Sequence, residues 1–202
     1  MILVTASDAA PVPWKNGGGV TRELLRLPAG AAEDWTLRIS VADIAADGPF
    51  SPFPGITRWF AVLSGAGVRL SFPDRALNVA PHDLPLCFDG AQAPGCTLLD
   101  GATRDLNVMV RTGHASVVLI AAAFGDEIWP GYGDGLGFFA LQALTLCGAS
   151  GLPIEMPPLS LAWGDPPWRA GQAWWVEESQ PAGIEQEHTA PGYWIRLQRP
   201  TP

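Results

Sequence analysis

The amino-acid sequence predicts an all-β protein. In several segments apolar and polar residues alternate at every second position, which is the pattern of strands that bury one face. The chain contains 23 glycines and 20 prolines, most of them scattered singly, as is typical of many short strands joined by turns. No segment shows the longer period of an amphipathic helix of useful length. We therefore expect sheet packed on sheet, or one or two closed barrels.

Two strands are expected in the middle of the first half. From Trp35 to Ala42 the apolar residues fall on one face, whereas Arg38 and Ser40 fall on the other. Segment 58–63 is apolar on both faces, as in a strand enclosed by a barrel or a second sheet. Another alternating strand is expected at 68–72, after a glycine-rich turn.

The segment 105–111 alternates most cleanly. Asp105, Asn107 and Met109 fall on one face of this strand, and Leu106 and Val108 fall on the other. The polar face either lines an inner wall, where its groups can meet a ligand, or it is solvated on an outer wall. We favour the inner wall.

The second half repeats this style with a more apolar composition and many tryptophans. Its expected strands are 137–146, 159–163, 172–176 and 193–197. We divide the chain into a barrel with the ligand pocket at 1–113, and a second, degenerate β-barrel half at 114–202. No internal repeat marks this division. The tryptophan-rich half is as compatible with a homodimer surface as with a second core.

Composition and charge exclude several classes of function. The net charge is −8, with only 12 lysines and arginines in 202 residues, and no basic stripe is present, so nucleic acid is not an expected partner. No apolar run approaches the length that crosses a bilayer, so no membrane partner is expected. The three cysteines form no even disulfide set, and the first residues lack the pattern of a secretory signal, so we expect a cytoplasmic protein.

One stretch resembles a metal-binding barrel motif without its metal ligands. It runs from Gly48 to Gly65, and in the cupin family a similar run carries two histidines and a glutamate before a closing glycine. Counting back from Gly65 places Arg58 at the glutamate position, and the histidine positions fall on Pro52 and Pro54, or on Ser51 and Phe53. A guanidinium repels a metal ion and attracts an anion, so this pattern indicates a metal-free pocket for a small anion.

Several segments together resemble the HutD/Ves family. They are 13–24 (PWKNGGGVTREL), 35–40 (WTLRIS), 48–51 (GPFS), 54–58 (PGITR) and 105–109 (DLNVM). The resemblance implies a cupin-like (RmlC-like) jelly-roll β-barrel, present once or doubled in one chain as a bicupin. It also implies a link to bacterial histidine utilisation, as a small-molecule binder that limits flux through the pathway. Urocanate and N-formylglutamate, both carboxylates, are the ligands that such a pocket would sense.

Arg58 is the first candidate for ligand binding. If it points into the barrel, its buried charge requires an anionic partner. That partner is either a ligand or a fixed internal carboxylate such as Asp105. The two arrangements can coexist, because a guanidinium has donors for both.

Seven further residues complete the candidate ligand site. Lys15 and Asn16 precede three glycines, whose exposed amides would suit a carboxylate; the alternative is an ordinary turn with a solvated lysine. Arg38 would supply a second cation, and Asp105 and Asn107 would orient Arg58. Trp14 and Phe60 would provide an aromatic wall, although most aromatic residues of this kind belong to a core.

Metal and nucleophile chemistry are not expected. The histidines, His82, His114 and His188, have no ligand spacing, so we expect neither a metal nor another cofactor. Cys87 is interpreted as a small buried hydrophobic residue rather than a nucleophile. A binding protein is therefore favoured over an enzyme. The alternative is a metal-independent isomerase or hydrolase, in which Arg58 stabilises an oxyanion and Asp105 or Glu23 transfers a proton.

Overall fold

A computed structural model describes residues 1–31, 33–131, 135–148, 151–165, 172–179 and 190–200. In this part of the chain the regular elements are strands and one short 3-10 helix at Gly90–Gln92. The strands are β1 (Ile2–Thr5), β2 (Pro11–Pro13), β3 (Gly19–Leu27), β4 (Leu37–Ile44), β5 (Gly48–Pro49), β6 (Ile56–Ser64), β7 (Val68–Ser71), β8 (Ala76–Val79), β9 (Leu86–Asp89), β10 (Gly95–Leu98), β11 (Thr103–Arg111), β12 (Ser116–Ala121), β13 (Gly135–Ala140), β14 (Leu144–Gly148), β15 (Ile154–Met156), β16 (Ser160–Gly164), β17 (Trp174–Glu178) and β18 (Gly192–Gln198). The predicted all-β class is confirmed.

The chain divides into two compact units. One comprises Ala9–Ala115, and the other comprises Met1–Asp8 together with Ser116–Pro202. The first eight residues, which the sequence analysis grouped with the first half, thus belong with the second. The reason is that β1 pairs antiparallel with β16, in the register Ile2 to Trp163. Sequence periodicity cannot reveal such a distant partner.

The unit Ala9–Ala115 is built from two sheets. A six-stranded sheet has the order β2-β3-β4-β11-β6-β9, and a four-stranded sheet has the order β5-β10-β7-β8. Apolar side chains from both sheets form one core cluster. Its buried members are Ile44, Phe50, Phe60, Val62, Val68, Leu70, Phe72, Val79, Phe88 and Cys96.

The predicted alternation of β4 is present in the structure. Leu37 and Ile39 are fully buried on one face, whereas Arg38 and Ser40 line a cavity on the other. β11 behaves in the same way, with Asp105 and Asn107 on the cavity side. The polar residues of both strands therefore lie on the inner wall and not on an outer, solvated one.

The other unit contains a five-stranded sheet, β1-β16-β13-β18-β12, and a three-stranded sheet, β15-β14-β17. Large apolar side chains, among them Phe138, Trp174 and Trp194, form its core cluster. The single strand expected at 137–146 is wrong, because a turn separates β13 from β14. The run is apolar on both sides of that turn, so its pattern does not show the break. No helix in the described residues is long and apolar enough to cross a membrane.

Candidate functional site

The inner face of the six-stranded sheet carries a cavity of about 810 Å³ within the unit Ala9–Ala115. Strands β2, β3, β4, β6 and β11 and the segments 14–16 and 49–53 supply its wall. The lining residues are Val12, Pro13, Trp14, Lys15, Asn16, Thr21, Glu23, Arg26, Arg38, Ser40, Ala42, Pro49, Phe50, Ser51, Pro52, Phe53, Arg58, Asp105, Asn107 and Met109. Seven of the eight sequence-predicted ligand residues are in this set.

Arg58 lies on the cavity wall rather than on the outer surface, and only 4% of it is exposed. Its Nη2 donates to Asn107 Oδ1 at 2.5 Å, and its buried Nε has no hydrogen-bond partner among the described residues. The guanidinium carbon lies 4.7 Å from the ring centre of Phe50 and 5.3 Å from that of Phe88. Phenylalanine faces stabilise a cation without neutralising it, so the charge stays available to an anion.

A direct ion pair between Arg58 and Asp105, the alternative to a ligand that the sequence left open, is not among the ion pairs of the described residues. Instead Asn107 lies between them, since its Nδ2 donates to Asp105 Oδ1 while its Oδ1 accepts from Arg58. The second carboxyl oxygen, Asp105 Oδ2, is buried and has no partner in the described part of the chain. Among the described residues, Arg58 Nε and Asp105 Oδ2 therefore both lack a hydrogen-bond partner.

Burial shifts the pKa values of both Asp105 and Arg58. Asp105 is 1% exposed, and desolvation raises the pKa of its carboxyl to about 8, despite the opposing effects of Arg58 and Asn107. Desolvation also lowers the pKa of Arg58 to about 10, with Asp105 acting in the opposite direction and Arg38 in the same one. At neutral pH the wall therefore holds a cation beside a neutral carboxylic acid.

A second cationic group lies further along the same wall. Glu23 Oε2 accepts from Arg38 Nε at 2.7 Å and from Arg26 Nη2 at 2.5 Å, and Arg26 Nη1 donates to the carbonyl of Ala31 at 2.7 Å. Burial acts to raise the pKa of Glu23, but the hydrogen bonds from the two arginines outweigh it and lower the pKa. Two cations thus share one carboxylate.

Trp14, Lys15 and Asn16, from the segment between β2 and β3, also line the cavity. The Trp14 indole Nε1 donates to Thr21 Oγ1 at 2.7 Å, which holds the ring against β3. Lys15 and Asn16 are exposed. Lys15 therefore adds an exposed cation to the cavity lining.

The glycine run after Asn16 does not offer the free amides expected from the sequence. The Gly18 amide donates to Asn16 Oδ1 at 3.0 Å, and the Gly17 amide donates to the Trp14 carbonyl at 3.0 Å. Bonds within the turn thus satisfy two of its three glycine amides. Gly19 is required by close packing, whereas Gly17 has a positive φ and open space around it.

Replacement of Gly19 by alanine should lower the free energy of unfolding by about 1–3 kcal/mol, because overpacking a tight site forces the backbone to shift. A Cβ there would lie 2.4 Å from the carbonyl oxygen of Asp43 and 3.1 Å from the Trp14 ring. Urea denaturation measures the change. Gly17→Asn is the control, since Gly17 has a φ of 71° with open space around it, a conformation that asparagine tolerates. Equal stability of wild type and Gly19→Ala would contradict this packing.

Phe60 is the predicted ligand residue that the structure does not place on the cavity wall. It shares a face of β6 with Arg58 but is 0% exposed in the core, where its ring centre lies 5.6 Å from that of Phe50. Alternation assigns a residue to a face and does not say how deep along the strand the cavity reaches. Three other lining residues, Arg26, Met109 and Phe50, are not predicted from the sequence, and Glu23 is predicted only as a group that transfers a proton.

Among the described residues, no group of three or more His, Cys, Asp or Glu side chains is arranged to hold a metal ion. His82 and His114 are exposed, and His188 lies outside the described residues. The position that resembles a metal-ligand site in sequence carries Arg58, so the groups around the cavity favour anions.

Comparison with known families and proteins gives an independent line of evidence. The model of the family described as HutD matches residues 6–151. An uncharacterised 21.2 kDa protein in the hutC 3' region of Pseudomonas putida is 41% identical over 110 residues, or 53% of this chain and 56% of that protein. Protein Ves of Citrobacter koseri is 37% identical over 99 residues, or 48% of this chain and 51% of that protein. The chain thus spans about half the length of these curated relatives.

Solved structures with a similar fold cover nearly the whole chain. A conserved protein of unknown function from Pseudomonas aeruginosa PAO1 has a TM-score of 0.79 at 27% identity, covering 98% of this chain and 97% of that one. HutD from Pseudomonas fluorescens SBW25 has a TM-score of 0.80 at 24% identity, covering 99% of each chain. A cupin 2 conserved barrel domain protein from Leptotrichia buccalis has a TM-score of 0.55 at 11% identity, covering 98% and 96%. The expected cupin-like fold is confirmed.

Proposed function

This chain belongs to the HutD family, and we propose that it is a metal-free binding protein for a small carboxylate metabolite. The observation that carries the proposal is Arg58, a buried cation on the wall of a cavity, with an Nε that no described residue satisfies. An unpaired buried charge is costly. A carboxylate is the group that matches the planar donors of a guanidinium.

The surroundings of Arg58 support a small organic anion. Phe50 and Phe53 line the cavity beside the guanidinium and offer apolar surface to the body of a ligand. Asn107 contributes an amide, and Asp105 contributes an oxygen that has no hydrogen-bond partner among the described residues. A few polar groups in a largely apolar cavity are typical of small-molecule sites.

The relatives suggest which metabolite to test. The Pseudomonas putida relative is described by its position in the hutC 3' region, and the family name is HutD. We therefore propose that the ligand is an intermediate of histidine utilisation, with urocanate and N-formylglutamate as candidates. On this proposal the protein is a regulatory or flux-limiting factor, and binding to it reports the level of the intermediate.

Calorimetric titration of the purified protein with urocanate and with N-formylglutamate tests the proposal. Arg58→Ala is expected to weaken binding by about 100-fold, since a charge-assisted bidentate contact is lost. Arg58→Lys should also bind poorly, because an ammonium lacks the planar fork. Arg69→Ala is the matched control, since it removes an arginine that is exposed on β7. Unchanged affinity in Arg58→Ala would refute the proposal.

One observation favours a second candidate function. Asp105 is a buried carboxylic acid beside a cation, with an oxygen free of partners among the described residues. Such a group can transfer a proton while Arg58 stabilises an oxyanion, as a metal-independent isomerase or hydrolase requires. Turnover of either candidate ligand that disappears in Asp105→Asn would favour the enzyme over the binding protein.

Two further expectations stay predictions. A homodimer is one, and sedimentation velocity at several protein concentrations checks it. A cytoplasmic location is the other, and fractionation of the producing cells checks that.

A further inference from the structure

We propose that the ligand is a dicarboxylate, with one carboxylate on Arg58, the other on Arg38, and an apolar chain between them lying over Met109. This inference rests on the proposed function and narrows the class of ligand: N-formylglutamate has two carboxylates and fits it, whereas urocanate has one and does not. It depends on how three strands align the three side chains.

The three residues form one row across the sheet. Met109 on β11 pairs with Arg38 on β4 and, on its other side, with Arg58 on β6. Residues in direct register point to the same face, and adjacent strands are about 5 Å apart, so the two arginine Cα atoms are about 10 Å apart. All three line the cavity. The row therefore presents two cations separated by one apolar side chain.

Each arginine keeps donors for a ligand. In the described part of the chain, Arg38 uses only its Nε, which donates to Glu23, and its side chain is 21% exposed. Arg58 uses only Nη2 among the described residues, in its bond to Asn107. Arg26 differs, because Nε, Nη1 and Nη2 all donate within the protein. Arg38 is thus the second anchor, and Arg26 holds Glu23 in place.

The charges of the lining residues favour a dianion. The four cations are Lys15, Arg26, Arg38 and Arg58, against two carboxyl groups, Glu23 and Asp105. A monocarboxylate on Arg58 would leave the free donors of Arg38 facing an apolar part of the ligand. A second carboxylate satisfies them, and Met109 contacts the methylene chain without losing a hydrogen bond.

Calorimetric titration with glutarate and with its monoamide, 4-carbamoylbutanoate, tests the inference. The monoamide keeps the length of glutarate and replaces one carboxylate by a neutral amide. Wild type is expected to bind glutarate about tenfold or more tightly than the monoamide, as one additional charge-assisted contact predicts. Succinate and adipate are titrated alongside, because the fixed spacing of the row predicts one preferred chain length.

Variants of the two arginines test which of them binds each carboxylate of the ligand. Arg38→Met should bind glutarate and the monoamide with nearly equal affinity, and its affinity for the monoamide should stay within about twofold of wild type. Arg58→Met should bind both ligands more weakly than wild type. Arg69→Ala serves again as the exposed control. Equal affinity for glutarate and monoamide, or a preference that survives Arg38→Met, overturns the dicarboxylate inference alone. No binding of any member of the series also overturns the dicarboxylate inference alone, because urocanate or N-formylglutamate can still bind. Monoamide binding that is unchanged in Arg58→Met overturns the proposed function with it.

Discussion

Replacement of Phe60 by alanine is expected to lower the free energy of unfolding by about 3–5 kcal/mol. The side chain is fully buried and packs against Phe50 in the core of the unit Ala9–Ala115. Removing the ring loses its burial and leaves a void that neighbours from two sheets fill only in part. Chemical denaturation followed by tryptophan fluorescence measures the change.

The same position also separates a core role from a ligand role. Phe60→Leu keeps an apolar side chain and should leave carboxylate affinity unchanged, because Phe60 is not among the cavity-lining residues. Leu84→Ala is the stability control, since Leu84 is 82% exposed. If Phe60→Leu is fully stable but binds the ligand much more weakly than wild type, Phe60 contacts the ligand.

Replacement of Asp105 by asparagine is expected to change how stability depends on pH. Burial raises the pKa of this carboxyl from 3.8 to about 8. Around it are Arg58 from β6, Asn107 on its own strand, Asp43 from β4 and Cys96 from β10. Between about pH 4 and pH 8 the folded protein therefore binds a proton that the unfolded chain has released.

This bound proton determines whether the free energy of unfolding rises or falls with pH. Because the folded state binds more protons, the free energy of unfolding falls as pH rises through this range, by up to about 1.4 kcal/mol for each pH unit. Asparagine cannot ionise, so Asp105→Asn should flatten the curve and be the more stable protein at pH 7.5. Glu23 and Asp43, whose pKa values are lowered, lose their stabilisation only at more acidic pH.

Urea titrations at several pH values between 5 and 8 measure the effect. Asp100→Asn is the matched control, because Asp100 is exposed and its replacement should leave the slope unchanged. Parallel curves for wild type and Asp105→Asn would mean that the carboxyl is ionised throughout the range. Affinity for an anion should also fall in wild type as Asp105 ionises, and should not fall in the variant.

Much of the site could be predicted because strand alternation is local. The pattern around Arg38 and Ser40 assigns both residues to one face, and the pattern around Asp105 and Asn107 does the same. The glycine spacing that resembles the cupin motif brings Arg58 to the inner wall. These inferences need only the strand period and one turn, both of which are readable from short segments.

The second cation cluster could not be predicted in this way. The register of β3 shifts between Glu23 and Leu25, so that Glu23 and Arg26 both line the cavity although they are three positions apart. Strict alternation would put them on opposite faces. A β-bulge has no reliable mark in a single sequence.

Cys87 shows a further limit of apolar patterns. It was expected to be buried between Leu86 and Phe88, but it is exposed. β9 is the edge strand of its sheet. Leu86 and Phe88 on one face pack against the core, and Cys87 between them faces outward. An apolar run therefore does not reveal which side of an edge strand faces water.

The position of β1 has a practical consequence for producing either half alone. A fragment that starts at residue 114 loses the strand that pairs with β16 from Thr5 to Ile2. The apolar edge of β16 would then be open to other chains, which is a common cause of aggregation during expression. The boundaries of the compact units lie after Asp8 and after Ala115. A fragment that contains the cavity should therefore span 9–115. A fragment of the other unit needs residues 1–8 joined to residue 116 by a linker.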